Sequence, residues 1–233
     1  MRDEQGLFVA EGTKLVIDLL PAFKLHECYA TAQWISEHAH ELKGKVQEIS
    51  AEEMKKISNQ KTPQGVFAVF EKPLYSLSGE QHSQLCLALD DVQDPGNLGT
   101  IIRIADWFGI RHVFCSLLTA DAFGPKTVQA TMGALARVQV HYVNLEAYIQ
   151  QLPASVPVYG TFMDGVDLYT EKLASNGLII MGNEGNGISA KIESLVTNRI
   201  SIPNYPKNEA TSESLNVAIA AGIVCAEFRR RLI

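Results

Sequence analysis

Cysteine is scarce. The chain of 233 residues holds only Cys28, Cys86, Cys115 and Cys225, far apart, with no CxxC pair and no histidine at zinc-ligand spacing. That excludes a disulfide framework and a zinc ribbon, and the four read as small apolar residues of a reduced, cytoplasmic protein. The six histidines, His26, His38, His40, His82, His112 and His141, show no metal spacing either, so no metal is expected. No apolar run approaches the roughly 20 residues of a membrane span, and the opening MRDEQGLF does not read as a signal peptide. Positive charge is short too. The formal net charge is −6, so any face for nucleic acid has to be a local basic patch on an acidic body. Repeats and low-complexity segments are missing.

What remains is ordinary for a soluble globular protein: 46% hydrophobic and 20% charged residues, in a chain long enough for one large domain or two small ones. Residues 1–72 alternate helix and strand. Leu15, Val16, Leu19 and Leu20 suggest a helix ended by Pro21; Leu25 to Ala30 and Val46 to Ile49 read as strands around a helix from Ala32 to His40. Ser50 followed by Glu53 forms a capping box for a helix carrying Met54 and Ile57. Gly65 to Phe70 reads as a buried strand, which completes a small α/β sandwich. Residues 73–83 lose apolar periodicity and are the expected linker. From residue 84 to 233 strands and helices alternate again, closing with a long helix from about Ser214 to Arg230. Arg229, Arg230 and Arg231 are placed to favour the carboxyl end of that helix through its dipole, the favoured reading, or to touch RNA.

Three stretches stand out. The first is LCLALDDVQDPGNLGTIIRIADWFGI, from Leu85 to Ile110. A buried strand breaks at Asp90-Asp91. The turn Asp94-Pro95-Gly96-Asn97 follows, then a helix with Ile101, Ile102, Ala105 and Phe108 on one face, which Gly109 ends. Such a unit delivers polar side chains, here Asn97 and Arg103, to the carboxyl edge of a sheet, where open α/β sheets bind ligands. Read alone, Asn97 is equally an ordinary N-cap and Arg103 a solvated charge. The second stretch is LIIMGNEGNG, from Leu178 to Gly187, a buried strand running into a glycine-rich turn. Its spacing is neither the GxGxxG of dinucleotide folds nor the GxxxxGK[ST] of a P-loop, which argues against a dehydrogenase. The third runs from Ile202 to Ala218, a polar loop into the last helix, with Ser212 or Ser214 as the expected cap.

In this order, DPGNLGTIIRIADWFGI, IIMGNEGNGIS and ISIPN…SESLNVAIAAG resemble the three motifs of the SpoU/TrmH family of RNA ribose 2′-O-methyltransferases, over roughly residues 84–231. KTVQATMGALARVQV between them also looks like the family, and FVAEGTKLVIDLL is similar to its N-terminal substrate-binding domain. The resemblance implies an α/β protein with a small N-terminal RNA-binding-like domain and a C-terminal SPOUT domain with a trefoil knot. It further implies a homodimer packed through the knotted domain and S-adenosylmethionine as methyl donor. Cofactor residues are then Met181, Gly182, Ser201, Ile202 and Leu215. A neutral adenine fits main-chain groups and apolar side chains. The acceptor side falls to Asn97, Arg103, Glu184, Ser214 and Asn216. The resemblance gives Arg103 the central role, either as general base or, since an arginine is very hard to deprotonate, by holding a phosphate and stabilising developing alkoxide charge. Asn97 is implied to orient Arg103 or the ribose, and Ser214 and Asn216 to anchor a phosphate or the cofactor loop. Glu184 would position Arg103 or a loop across the site, or serve as a structural salt bridge.

Two departures bear on RNA contact. Many members join motif three by a short glycine-containing loop, whereas residues 204–213 here carry Tyr205, Pro206, Lys207 and Glu209, an aromatic and a cation suited to an unpaired base and its phosphate. Members often carry a basic segment ahead of the first domain, while this chain starts at Met1-Arg2-Asp3, meaning either a shorter RNA-binding arm or a trimmed chain. The separate N-terminal domain favours ribosomal over transfer RNA. A non-catalytic RNA-binding or ribosome-assembly protein is the other reading, disfavoured because Asn97, Arg103 and the SLN segment are all present.

Overall fold

The computed structural model describes residues 5–42, 46–206 and 214–232. They form two units, Met1–Leu74 with Asp121–Arg137, and Tyr75–Ala120 with Val138–Ile233. The linear division expected from the sequence does not foresee that 121–137 joins the first unit. The cause is aromatic. Phe123 packs 5.0 Å from Phe8, which also stacks on Phe70 at 5.5 Å and meets Phe23 edge-on at 5.0 Å, so the insertion supplies part of the first unit's core.

The first unit holds β1 (Leu7–Glu11), α1 (Thr13–Leu19), β2 (Leu25–Ala30), α2 (Ala32–His38), β3 (Gln47–Glu48), α3 (Ala51–Ile57) and β4 (Val66–Glu71). Its sheet runs β1-β4-β2-β3, antiparallel except for β2 with β3. Strand β1, absent from the sequence reading, is the edge partner of β4, paired from Leu7↔Glu71 to Glu11↔Phe67. Strand β4 alternates buried and half-buried positions, the pattern of a sheet covered on one face. The capping box forms as expected: Ser50 Oγ accepts from the Glu53 N–H, and the Glu53 carboxylate accepts from the Ser50 N–H at 2.9 Å.

The second unit carries β5 (Leu85–Leu89), α4 (Pro95–Trp107), β6 (His112–Cys115), then, after α5 (Pro125–Thr131) of the first unit, β7 (Gln139–Tyr142), α6 (Leu145–Gln150), β8 (Val158–Asp167), β9 (Gly177–Met181), α7 (Ala190–Glu193), β10 (Asn198–Ser201) and α8 (Val217–Arg230). Its six strands are all parallel, in the order β10-β8-β9-β5-β6-β7. Strands β5 and β9 are buried along their whole length, as a sheet covered on both faces requires. From β5 the chain steps outward through β6 and β7, then returns to the other side of β5 for β8 to β10. The order reverses between β5 and β9, so their carboxyl ends open a crevice of the kind that binds ligands.

Helix α4 begins three residues earlier than its apolar period suggests. Asp94 is its N-cap, accepting from the Asn97 N–H at 2.7 Å, and Pro95 takes the first position. Leu98, Ile101, Ile102 and Ala105 are buried, and Gly109 follows at φ +63°, where a side chain would be strained. Helix α8 starts at Val217 with Asn216 as its cap, accepting from the N–H groups of Ala218 and Ile219 at 3.0 and 3.2 Å. This corrects the expected cap: Ser214 is not it, and Ser212 lies outside the described residues. The terminal arginines act more widely than on their own helix. Arg229 donates to the carbonyls of Phe108 and Gly109 at 2.7 and 3.2 Å, closing the end of α4. Arg230 and Arg231 pair with the buried Glu227, and Arg231 also donates to the Leu168 and Tyr169 carbonyls. The hydrogen bond from Arg230, then that from Arg231, outweighs burial and holds the Glu227 carboxyl down at about 2.

Candidate active site

Strands β5 and β9 pair in register from Leu85↔Gly177 to Leu89↔Met181, so the loops that follow them emerge side by side. The first carries Asp90 to Asn97, the second Gly182 to Ser189. Gly182 is needed because the second loop folds back over it: a Cβ there would lie 2.2 Å from the Gly187 carbonyl carbon and 2.4 Å from the Ile188 nitrogen. Asn183 and Gly187 close that loop with reciprocal backbone hydrogen bonds of 2.9 and 3.0 Å.

Glu184 sits at the tip and reaches across to the first loop. Its carboxylate accepts from the Asn97 Nδ2 at 3.0 Å and from the N–H groups of Gln93 and Asp94, both at 3.3 Å. Burial raises its pKa, but these donors, Asn97 foremost, outweigh burial and hold it below the ordinary carboxylate value. Asn97 passes the link on, its Oδ1 accepting from Asn216 Nδ2 at 2.9 Å. Asn216 in turn caps α8. One chain of hydrogen bonds thus joins all three polar stretches of the sequence, across separations of 87 and 119 residues.

The structure therefore brings together Asn97, Glu184 and Asn216, with roles sharper than expected. Asn97 is not the helix cap, which is Asp94; its side chain bridges Glu184 and Asn216. Glu184 forms no salt bridge among the described residues and holds Asn97 rather than Arg103. Arg103 lies less than two turns further along α4, exposed, with no hydrogen bond or ion pair to another described residue. Ser214 is exposed in the same sense, just ahead of α8. Tyr205 is 89% exposed; Lys207 and Glu209 lie outside the described residues.

The five residues expected around the cofactor all sit at carboxyl ends of the parallel sheet or at the mouth of α8. Met181 and Gly182 end β9, Ser201 ends β10 with Ile202 after it, and Leu215 precedes α8. None is charged. Met181 is buried, Ile202 half-buried, and Leu215 leaves 47% of its surface uncovered. An apolar, neutral lining beside main-chain donors and acceptors is what an adenosyl group requires, so these residues fit S-adenosylmethionine. Sequence reasoning passed over Asp90, Asp94 and Asn183, which fix the loop geometry. Their signal was present as Asx residues flanking turns.

The comparisons with known proteins agree with this geometry. Residues 84–226 match the model of the SpoU rRNA Methylase family, and residues 1–68 match the MRM3-like substrate binding domain. The chain is 36% identical over 183 residues to a 23S rRNA guanosine 2′-O-methyltransferase of Bacillus subtilis, an alignment covering 78% of this chain and 71% of that one. Among solved structures it resembles a TrmH-family protein from Porphyromonas gingivalis, with 42% identity, TM-score 0.87, and coverage of 99% of this chain and 92% of that one. It also resembles an AdoMet-bound rRNA methyltransferase from Sinorhizobium meliloti, with 33% identity, TM-score 0.87, and coverage of 100% and 90%. A parallel α/β domain whose three loops meet at one edge, preceded in sequence by a small substrate-binding domain, defines the class. This chain belongs to the SpoU rRNA methylase family.

Proposed function

We propose that the protein methylates a ribose 2′-hydroxyl of RNA, with ribosomal RNA as the substrate class. The observation that carries this is the hydrogen-bonded chain Glu184–Asn97–Asn216, which ties the three polar stretches together less than two turns of α4 from Arg103, itself exposed and without a hydrogen bond or ion pair to another described residue. The Bacillus subtilis and Sinorhizobium meliloti relatives, both named as rRNA methyltransferases, support the choice of RNA.

S-adenosylmethionine, when bound, supplies an electrophilic sulfonium methyl group, which leaves the protein the tasks of alignment and of easing proton loss. Gly182, Ile202 and Leu215, with main-chain groups at Met181 and Ser201, would hold it. Arg103 carries a fork of donors suited to a phosphate and to the negative charge that grows on the 2′-oxygen. Ser214, beside the first turn of α8, adds a hydroxyl donor for the same phosphate. Asn97 and Asn216 set the position of that anion site, and the departing proton goes to solvent at this open edge.

The protein acts as a homodimer in the cytoplasm. Supporting the dimer are Trp107 and Ile219, 84% and 56% exposed, on the helices α4 and α8 that pack together. The family's knotted carboxyl end would form that contact. Supporting the compartment are four free, buried cysteines, with burial raising the pKa of each thiol. Trp107→Glu is expected to halve the mass measured by light scattering; an unchanged mass removes this face as the contact.

The test of the activity is transfer of a labelled methyl group from S-adenosylmethionine to RNA from cells lacking the protein, size-fractionated and then digested to nucleosides. A 2′-O-methylated nucleoside in the ribosomal pool, absent with Arg103→Ala, is expected. Label in the transfer-RNA pool alone overturns the substrate class. Absence of transfer together with absence of cofactor binding overturns the enzymatic reading in favour of an RNA-binding protein.

A further inference from the structure

Glu184 bonds Asn97 from the tip of an exposed loop, and its aim depends on what holds that loop. The loop is pinned at both ends to the two aspartates that end β5. At the far end, Asp90, itself 5% exposed, accepts from the Ser189 N–H at 2.7 Å. At the near end the pin is Asn183. Its Nδ2 donates to the Asp91 carbonyl at 2.7 Å, while its Oδ1 accepts from the N–H groups of Gly185 and Asn186 at 2.9 and 3.0 Å. The Asp91 carbonyl is itself fixed. Asp91 sits at φ +57°, a left-handed conformation unusual for a residue with a side chain, and its N–H donates to Ser116 Oγ at 2.9 Å.

We infer that Asn183 is a positioning residue for the methyl-transfer site, its carboxamide tying the 183–187 turn to Asp91 so that Glu184 meets Asn97 and the Gln93 and Asp94 amides. This rests on the functional reading above. The Asn183 side chain bonds Asp91, Gly185 and Asn186, none of them placed on the acceptor side, and acts through its chain neighbour Glu184. The task needs both ends of a carboxamide. Aspartate keeps the two turn acceptors and loses the donor to Asp91; serine keeps one short acceptor and cannot span to Asp91. Without the tie, Glu184 is free to leave Asn97, and Asn97 loses one of the two partners that orient it toward Asn216.

The test compares wild type, Asn183→Asp, Glu184→Ala and the double variant in the methyl-transfer assay, with S-adenosylmethionine affinity measured by calorimetry. Asn183→Asp is expected to lower kcat about tenfold, the effect of one misaligned hydrogen bond, with KM for RNA and cofactor affinity changed less than about twofold. In the Glu184→Ala background the same substitution is expected to do nothing further. Equal losses in both backgrounds, or a loss that falls on cofactor affinity, overturn the inference and leave Asn183 a loop-stability residue. A second measurement stands apart from activity: nuclear magnetic resonance titration of Glu184 in Asn183→Ser, which adds no charge. The carboxyl should return from its depressed value toward the ordinary one as its donors are lost. An unchanged titration overturns the inference even if wild type proves inactive. A wild type that transfers no methyl, with the titration shifted as expected, defeats the functional reading alone. Asn183→Ser also replaces Asn183→Asp in the kinetics should the latter fail to fold.

Discussion

Two glutamates, one in each unit, are held in the same way and serve opposite ends. Glu11, at the end of β1, is 7% exposed; it accepts from the Asn59 N–H at 3.0 Å and from Asn59 Nδ2 at 2.9 Å, and from the Ser58 hydroxyl. Glu184, at the end of the loop after β9, accepts from a carboxamide at 3.0 Å and two backbone N–H groups at 3.3 Å. The chemistry is nearly identical, a carboxylate collecting loop donors. The surroundings differ. Around Glu11 the donors belong to the turn after α3 and the carboxylate itself is buried within one unit, so its energy goes to folding. Around Glu184 the site is open and the partner Asn97 is bonded onward to Asn216. The lesson is that a carboxylate's role is read from where its partners lead and whether solvent reaches it.

The comparison can be broken in graded ways. The largest effect should come from outside both clusters. Arg103→Ala is expected to lower methyl transfer about 10³-fold, roughly 4 kcal/mol of barrier, without moving the melting temperature, because the side chain is exposed and makes no hydrogen bond or ion pair to another described residue. A melting temperature that falls with activity would place Arg103 in the fold instead. Next, Glu11→Ala should cost about 1.5 kcal/mol in denaturant unfolding, since it removes a buried carboxylate that accepts from the half-buried Ser58 and from Asn59. A loss below about 1 kcal/mol would mean that water replaces the carboxylate there. Glu184→Ala should reverse the pattern, with about 2 kcal/mol lost in transition-state stabilisation and less than about 1 kcal/mol in stability.

The smallest effect concerns a third carboxylate, Glu227, paired with Arg230 and Arg231. Its pKa is depressed from 4.5 to about 2 in the folded state. Its contribution to stability is therefore present above the unfolded value near 4.5 and is lost as pH falls toward 2. Wild type should show a steeper loss of stability across that window than Glu227→Gln; parallel curves would show the ion pairs to be silent.

Local pattern made much of the second unit legible. The unbroken apolar runs of β5 and β9 and the helix carrying Arg103, like the capping box at Ser50 and Glu53 in the first unit, are written in short-range periodicity and turn chemistry, which neighbours in sequence settle. Boundaries that depend on a partner were not. Strand β1 reads weakly as a strand because it is an edge, stabilised by pairing with β4 across 64 residues of Leu7↔Glu71 separation. The cap of α8 is ambiguous in the sequence because Ser212, Ser214 and Asn216 are all good caps; Asn216 takes the position and its Nδ2 donates to Asn97. Residues 121–137 were read with the domain that surrounds them in sequence, because nothing local reveals that Phe123 completes an aromatic cluster with Phe8 and Phe23.

By itself, then, the sequence determined most of the elements, a small α/β unit ahead of a larger one, and the residue types gathered for chemistry, but neither strand β1 nor the place of residues 121–137. Those follow from periodicity, turn preference and side-chain chemistry, which act within a few residues. Only the tertiary structure decided which of those residues meet. The reversal of strand order between β5 and β9 sets two distant loops side by side, and the packing of α8 on α4 brings Asn216 to Asn97. Hydrogen bonds reach only about 3 Å, so such meetings are fixed by topology and packing and have no signature in local sequence.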